Sequence, residues 1–388
     1  HVDRLHEYIK TVMKSTKSDK ISLTSRCIGG SLLNAYLQKY GSLGHIKNVM
    51  YCETLSDGCA LISKGFSGQV VIDSKSMQRY TGQLEFCDDI GFGVGFGVSE
   101  LASEIASKTI DLLTQINFME SVADTIEALY AKLYKALMPA LFHSFGYASQ
   151  PVYWSLVEEE DFDLALNVMF GEEGSESRIY FAGLIEKIRN YRTLVTSKRN
   201  ELYKKCSEEY GIHMGVIAKY GLLNAPFTVG HDDLADALVS LKDSSLGATC
   251  AKVDSTLPDD YISERINGGF SKYISPDKQV DASTCMFPET TWFIKNVHHD
   301  DFDRVCREQA NRFLNGTGVT VENSGYARFR INDYETLTVT EMTEENCGDL
   351  SFISLAEKEP TKITIFVALM NWIKTIIDFF ARLFRGEL

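Results

Sequence analysis

The sequence predicts an α/β protein with a mostly parallel sheet, and three neighbouring segments support this prediction. Residues 20–24, KISLT, are typical of a short buried strand. A tight turn at residues 25–30 follows, and residues 31–40 place their apolar side chains on one helical face. Residues 46–52, IKNVMYC, have the character of a second buried strand. Strand, turn, helix and strand in this order form a βαβ unit, whose two strands are parallel.

Further elements follow from the same kind of pattern. Residues 2–16 have apolar positions at helical spacing, and Gly41 is placed to end the helix over residues 31–40. Residues 213–220, HMGVIAKY, and residues 291–297, TWFIKNV, are apolar runs that predict two more strands. The chain therefore has enough strand segments for a sheet of moderate size.

The strand segments are separated by a long, largely helical stretch, which divides the chain into four predicted regions. Two sheet-forming regions flank a helical cap or lid, and an amphipathic helix ends the chain. Their boundaries are residues 1–98, 99–210, 211–354 and 355–388.

Composition and charge argue against nucleic-acid binding, a zinc site and a disulfide framework. The chain has 388 residues and a net charge of −14, which disfavours nucleic-acid binding because phosphate groups repel an acidic surface. Its nine cysteines are odd in number and fit neither a zinc site nor a disulfide framework. We therefore predict reduced thiols, a cytoplasmic location, and a protein without metal or organic cofactor.

The two ends of the chain carry separate predictions. The chain begins at His1 inside a helical pattern, without a signal peptide, so we expect an N-terminally incomplete domain. Residues 363–383 are amphipathic, but Lys374, Asp378 and Arg382 argue against a membrane span. This segment either packs on the domain or gives residues 363–388 a contact with a membrane surface.

The turn after the first strand is the candidate centre of the chemistry. A nucleophile elbow consists of a strand, a sharp turn with small neighbours and a helix, usually with the pattern G-x-S-x-G. Here the pattern is Ser25-x-Cys27-x-Gly29. Cysteine is the more acidic nucleophile and can form a thiolate–imidazolium pair with histidine. Ser25 carries a Cβ atom that the usual glycine lacks, so the elbow must tolerate some crowding.

Two other positions offer partners for this thiol. His298 and His299 follow directly after the strand at residues 291–297, and either could act as a base. Asp236 and Asp277 each begin a D-x-x-V stretch, and Asp281 is a third candidate for the acid.

Four stretches resemble, in chain order, the bacterial lecithin–cholesterol acyltransferase-like lipases and esterases of the α/β-hydrolase family. They are KISLTSRCIGGSLLNAYLQKYG at residues 20–41, GVIAKYGLLNAPFT at 215–228, ADALVSLKDSSLGA at 235–248 and TWFIKNVHH at 291–299. The resemblance covers roughly residues 1–310. It implies an α/β-hydrolase sheet whose first strands are missing, with the helical region as an inserted cap.

The resemblance also implies a site. Cys27 matches the nucleophile, Asp236 the acid and His299 the base, with His298 as a competitor. The backbone N–H of Ile28 matches one oxyanion donor, whereas the second donor in this fold comes from an upstream loop that the sequence lacks. The implied activity is a serine-hydrolase-like esterase, lipase or acyltransferase acting on a carboxylic ester or thioester.

Two alternatives remain open from the sequence. The exchange of serine for cysteine is also compatible with an inactive hydrolase-fold binding protein, since fold does not fix function. The other alternative is a membrane-surface scaffold whose active part is the C-terminal helix.

Overall fold

The computed structural model describes residues 1–56, 58–69, 146–224, 232–333 and 336–348. The strands are β1 (Ile21–Cys27), β2 (Ile46–Thr54), β3 (His213–Tyr220), β4 (Leu222–Leu223), β5 (Leu234–Ala235), β6 (Thr249–Cys250), β7 (Val280–Asp281), β8 (Thr291–Lys295), β9 (Phe329–Asp333) and β10 (Thr338–Glu341). The main sheet has six strands in the order β1-β2-β3-β8-β9-β10. All neighbours in it are parallel except β9 and β10. The predicted α/β class with a mostly parallel sheet is confirmed.

Helices connect these strands. They are α1 (Val2–Thr16), α2 (Gly29–Tyr40), α3 (Ala60–Ser67), α4 (Pro151–Trp154), α5 (Phe162–Phe170), α6 (Glu176–Tyr180), α7 (Ala182–Leu194), α8 (Arg199–Lys204), α9 (Leu241–Ser244), α10 (Asp259–Asn267), α11 (Phe302–Val305) and α12 (Arg307–Asn315). The described part of the predicted cap, residues 146–210, contains helices and no strand. Most of residues 53–145 lies outside the described residues, so the predicted boundaries at residues 98 and 99 stay predictions.

Both faces of the sheet are buried, as parallel strands require. Val49 and Tyr51 of β2 pack with side chains of α1, α2 and α8 on one face. Met50 and Cys52 alternate with them and pack with α12 on the other face. Gly215 of β3 lies under α12, where an added Cβ would meet the Phe313 ring at 2.6 Å. The sheet is therefore a middle layer between two helical layers.

The first βαβ unit matches its predicted boundaries only in part. Strand β1 continues to Cys27, so the turn predicted for residues 25–30 is confined to the junction between Cys27 and Gly29. Helix α2 ends at Tyr40 with Gly41 as its C-cap residue, although the φ of Gly41, −59°, is not left-handed. The chain instead continues through a 3-10 turn at Gly41–Leu43, and Gly44, with φ 73°, ends the segment. The prediction that Gly41 ends the helix over residues 31–40 is confirmed, while the left-handed conformation falls on Gly44.

The close approach of α2 to β2 gives a first prediction. An added Cβ at Gly30 would lie 2.8 Å from Ser56 Oγ and 3.0 Å from Thr54 Cβ, whereas one at Gly29 would meet only Ser25 Cβ at 3.7 Å. We expect Gly30→Ala to lower the free energy of unfolding by about 1–3 kcal/mol through overpacking. Gly29→Ala is the matched control and should be neutral or stabilising by about 0.5–1 kcal/mol. Urea denaturation measures both, and equal losses would contradict the packing described.

Candidate active site

Cys27 is the last residue of β1 and has a backbone conformation that L-residues rarely adopt. Its φ is 47°, in the left-handed region, and α2 begins two residues later. The Cys27 carbonyl accepts a hydrogen bond of 3.0 Å from the Leu55 N–H, which ties the junction to the end of β2. A non-glycine residue in this region costs on the order of 1–3 kcal/mol, and such strain is concentrated at functional sites. The half-buried thiol lies at the carboxyl end of the sheet.

His299 and Asp236 form a buried pair at the same end of the sheet. Nδ1 of His299 lies 2.8 Å from Oδ2 of Asp236, and the two side chains are almost completely buried. Oδ1 of Asp236 accepts hydrogen bonds from the Val239 N–H at 2.8 Å and the Leu238 N–H at 3.2 Å. The His299 N–H also donates to the Asp236 carbonyl at 2.9 Å. The carboxylate and the imidazole are thus held in one orientation through both backbone and side chain.

The charge state of His299 follows from these neighbours. Burial alone disfavours the imidazolium, but the charge and hydrogen bond of Asp236, followed by those of Cys27, raise the pKa of His299 to about 10. Burial also opposes ionisation of Asp236, yet His299, the Val239 N–H and Lys219 keep the pKa of Asp236 lowered. At neutral pH the pair is therefore an imidazolium beside a carboxylate, and Cys27 also forms a side-chain hydrogen bond with His299.

His298, the competing histidine, has a different environment. Its Nδ1 accepts a hydrogen bond of 3.2 Å from the Asp300 N–H, so this nitrogen carries no proton. Burial is the main reason that the pKa of His298 is lowered to about 4. His298 is neutral at physiological pH, and the structure brings His299 rather than His298 into hydrogen-bonding contact with Asp236.

The two rival carboxylates lie in other ion pairs. Oδ2 of Asp277 is 3.0 Å from Nζ of Lys295 and accepts a hydrogen bond of 3.0 Å from the Tyr220 hydroxyl. Oδ2 of Asp281 accepts hydrogen bonds of 2.8 Å from Tyr261 and Arg265. Both carboxylates have local structural partners, so Asp236 is the candidate that the structure places with a histidine.

Apolar side chains and a helix end surround the thiol. Cys27, Ile28 and Leu238 pack against a core cluster that includes Trp154 and Val239. Helix α2 begins beside Cys27, and Ile28, its N-cap residue, provides no side-chain cap. The first N–H groups of a helix carry partial positive charge and favour an anion. The predicted oxyanion donor, the Ile28 N–H, belongs to this junction.

Sequence reasoning missed three charged residues beneath the site: Arg26, Glu53 and Lys219. Nε of Arg26 lies 2.8 Å from Oε1 of Glu53, and Nζ of Lys219 lies 3.4 Å from Oε2 of Glu53. A signal was present, because Lys219 interrupts the apolar run HMGVIAKY, and a lysine in a buried strand requires a partner. Its partner could not be identified, since β2 and β3 are far apart in sequence.

Comparisons with known proteins do not place the chain in a family. No protein-family model, no curated protein and no solved structure matches it. The site is therefore interpreted from its own residues and geometry.

The described residues contain neither a cluster of metal ligands nor a membrane-spanning helix. There, no group of three or more His, Cys, Asp or Glu side chains is arranged to hold a metal ion. Nor does any helix in the described ranges have the length and apolar character needed to cross a membrane. The predicted amphipathic segment at residues 363–388 lies outside these ranges, so its membrane contact stays a prediction.

The His299–Asp236 pair predicts a pH dependence of stability. A histidine whose folded pKa is raised above its unfolded value of about 6.5 stabilises fully below that pH. The contribution is lost as pH rises through the folded pKa. The comparison is between Cys27→Ala and Cys27→Ala/His299→Gln, neither of which carries the thiol. We expect the stability advantage of Cys27→Ala over the double variant to be largest below about pH 6.5. The difference should shrink by up to about 1.4 kcal/mol per pH unit above about pH 6.5. Urea denaturation at several pH values measures it, and a difference independent of pH would contradict the raised pKa.

Proposed function

We propose that the protein is a cysteine-dependent acyl-transferring hydrolase with an α/β-hydrolase-type fold, acting on carboxylic esters or thioesters. The observation that carries the proposal is the arrangement of Cys27, His299 and Asp236. The thiol lies on a left-handed residue between a strand and a helix, and the imidazole that it contacts is held from behind by a buried carboxylate. This is the geometry of a nucleophile, a proton carrier and an orienting acid.

The order of strands in the sheet supports the fold. The candidate nucleophile ends β1, the acid follows β3 and the histidine follows β8, and these strands lie in the order β1-β2-β3-β8 across the sheet. Parallel strands present their carboxyl ends at one edge, so the three loops can meet there. Within the described residues β1 is an edge strand of the six-stranded sheet.

The first half-reaction forms an acyl-enzyme. In the proposed resting state the proton is on His299 and the thiolate is on Cys27. The thiolate attacks the carbonyl carbon, a C–S bond forms, and the carbonyl electrons move onto oxygen, which the Ile28 N–H and the start of α2 stabilise. The oxyanion then collapses, the bond to the leaving group breaks, and the His299 imidazolium protonates the departing alkoxide or thiolate.

The second half-reaction releases the acyl group. His299 is now neutral and takes a proton from water or an alcohol, which attacks the thioester carbonyl. The C–S bond breaks and the thiolate leaves, so that the ion pair is restored. Asp236 stabilises the imidazolium in both steps and holds its orientation.

The surroundings of the thiol favour substrates with an apolar acyl group. Ile28 and Leu238 lie beside Cys27 in an apolar cluster that the helices α3, α5 and α7 help to form. Tyr153 is a further neighbour: burial, then Tyr147 and Cys27, raise the pKa of its hydroxyl. An uncharged, partly aromatic surface binds a hydrocarbon chain better than a peptide or a charged group.

Covalent labelling tests the proposal. The protein is incubated with a fluorophosphonate and with a thiol-selective acyl probe, in parallel with Cys27→Ala and His299→Ala, and labelling is read by intact mass. We expect labelling by the acyl probe that requires both residues, while Cys347→Ala, which removes another half-buried thiol, labels like the wild type. Labelling that is absent, or that ignores His299, would favour the hydrolase-fold binding protein instead.

A further inference from the structure

A charge network, buried at Glu53 and Lys219, links the strand that carries Cys27 with the loop that carries His299. Glu53, at the end of β2, has φ 40° and a fully buried side chain. The β1–β2 register skips Glu53, since Arg26 pairs with Cys52 and Cys27 with Thr54. Such a bulge redirects a side chain. The Glu53 carboxylate lies between Arg26, the residue before the thiol, and Lys219 of β3, at 2.8 and 3.4 Å.

Lys219 continues the network to the histidine loop. Its Nζ donates hydrogen bonds of 2.9 Å to the His299 carbonyl and 3.3 Å to the His298 carbonyl. Arg26 contacts the start of α11, which follows the histidine loop, because its guanidinium lies 4.5 Å from the centre of the Phe302 ring. The backbone of His298 and His299 is thus linked through Lys219 and Glu53 to Arg26, the residue before Cys27.

The charges of this network suit a role beyond stability. Two cations, Arg26 and Lys219, face Glu53, and the positive charge of Lys219 also acts on Asp236. Removing such charges from water costs free energy, and apolar residues of similar size often stabilise a core as well or better. An ion network in this place is better explained by the orientation that its hydrogen bonds impose.

We propose that Arg26, Glu53 and Lys219 are positioning residues that set the contact between the Cys27 thiol and the His299 imidazole. The inference rests on the proposed function, since it assigns a role to these residues only if the thiol is activated by His299. They touch neither the thiol nor the imidazole ring through a described hydrogen bond, so they act through the backbone of the two loops.

The rate of alkylation of Cys27 by iodoacetamide, measured from about pH 5 to about pH 9, tests this role because only the thiolate reacts. Arg26→Gln and Lys219→Met are compared with the wild type by mass spectrometry of the Cys27 peptide. We expect both to react about tenfold more slowly near pH 6, with profiles shifted to higher pH, because a displaced imidazolium no longer stabilises the thiolate. Arg26→Lys should restore part of the rate.

Lys295→Met is the matched control. Lys295 is also a buried lysine, on the neighbouring strand β8, and its Nζ lies 3.0 Å from Asp277 and 3.1 Å from the Cys347 carbonyl. It contacts neither histidine through a described hydrogen bond, so its variant should keep the wild-type profile. Circular dichroism establishes that each variant is folded. If Lys219→Met does not fold, Arg26→Gln decides the question, because the Arg26 side chain is 39% exposed.

The outcomes separate the two proposals. Fast, His299-dependent alkylation in the wild type with unchanged profiles in Arg26→Gln and Lys219→Met would overturn the positioning role and leave the proposed function intact. The same shift in Lys295→Met would also overturn it, since the effect would then be general loosening of the core. Wild-type alkylation no faster than that of Cys347, and unchanged by His299→Ala, would remove the proposed function and the positioning role together.

Discussion

Asp236→Asn should lower kcat/KM for a thioester or an activated ester by on the order of 10³- to 10⁴-fold. An asparagine can still accept the hydrogen bonds from Leu238 and Val239 through its oxygen, but its NH₂ group would then face Nδ1 of His299. The His299 ring must then turn, or its Nδ1 must lose its proton. The negative charge that favours the imidazolium is also lost. Steady-state kinetics with a chromogenic substrate measures the effect.

Asp277→Asn is the control for this prediction. Asp277 is also a buried aspartate with a cationic partner, and it was the main rival for the acid. We expect Asp277→Asn to reduce stability because Lys295 loses its partner, while kcat/KM per folded molecule changes little. The opposite ranking of the two variants would assign the acid to Asp277 and would contradict the arrangement proposed.

Cys27→Ser should be nearly inactive at neutral pH, although serine is the usual nucleophile at such an elbow. Serine needs a neutral histidine to take its proton. Burial lowers the pKa of His299, but Asp236 and Cys27 outweigh burial and raise this pKa to about 10. A group whose pKa is raised this far is mostly protonated at pH 7. The exchange removes the contribution of Cys27 itself, so we expect a loss in kcat/KM of at least about a hundredfold.

The pH profile of Cys27→Ser distinguishes this explanation from simple misplacement of the hydroxyl. Its residual activity should rise towards alkaline pH as His299 loses its proton, and the rise should be absent from Cys27→Ala. A serine variant with wild-type activity at pH 7 would show that His299 is a neutral base, and the proposed ion-paired resting state would be wrong.

Much of the sheet could be predicted because its strands are short apolar runs of the expected length. Both ends of β3, at residues 213 and 220, agree with the prediction, and β8 begins at the predicted Thr291. The end of β1 was not predicted, because Arg26 and Ser25 look like turn residues while in the structure they pair with β2. Local propensity cannot show a pairing that depends on a distant partner.

The candidate site, like the sheet, could be predicted from the sequence only in part. Cys27 and the histidine pair could be proposed from the ends of predicted strands, where functional side chains collect in parallel sheets. The choice of His299 over His298, and of Asp236 over Asp277, needed the fold, because it depends on which side chains turn towards each other. The partner of Lys219 could not be predicted either, because Glu53 reaches Lys219 through a bulge in β2 that the sequence does not indicate.

The most direct test of the central claim is to trap the acyl-enzyme and locate the acyl group by mass spectrometry. The protein is mixed with a medium-chain acyl thioester, quenched in acid and digested. We predict an acyl mass on the peptide that contains Cys27, removed by neutral hydroxylamine as thioesters are, and absent from His299→Ala. An unmodified Cys27 during turnover, or an acyl group that accumulates equally without His299, would contradict activation of Cys27 by His299.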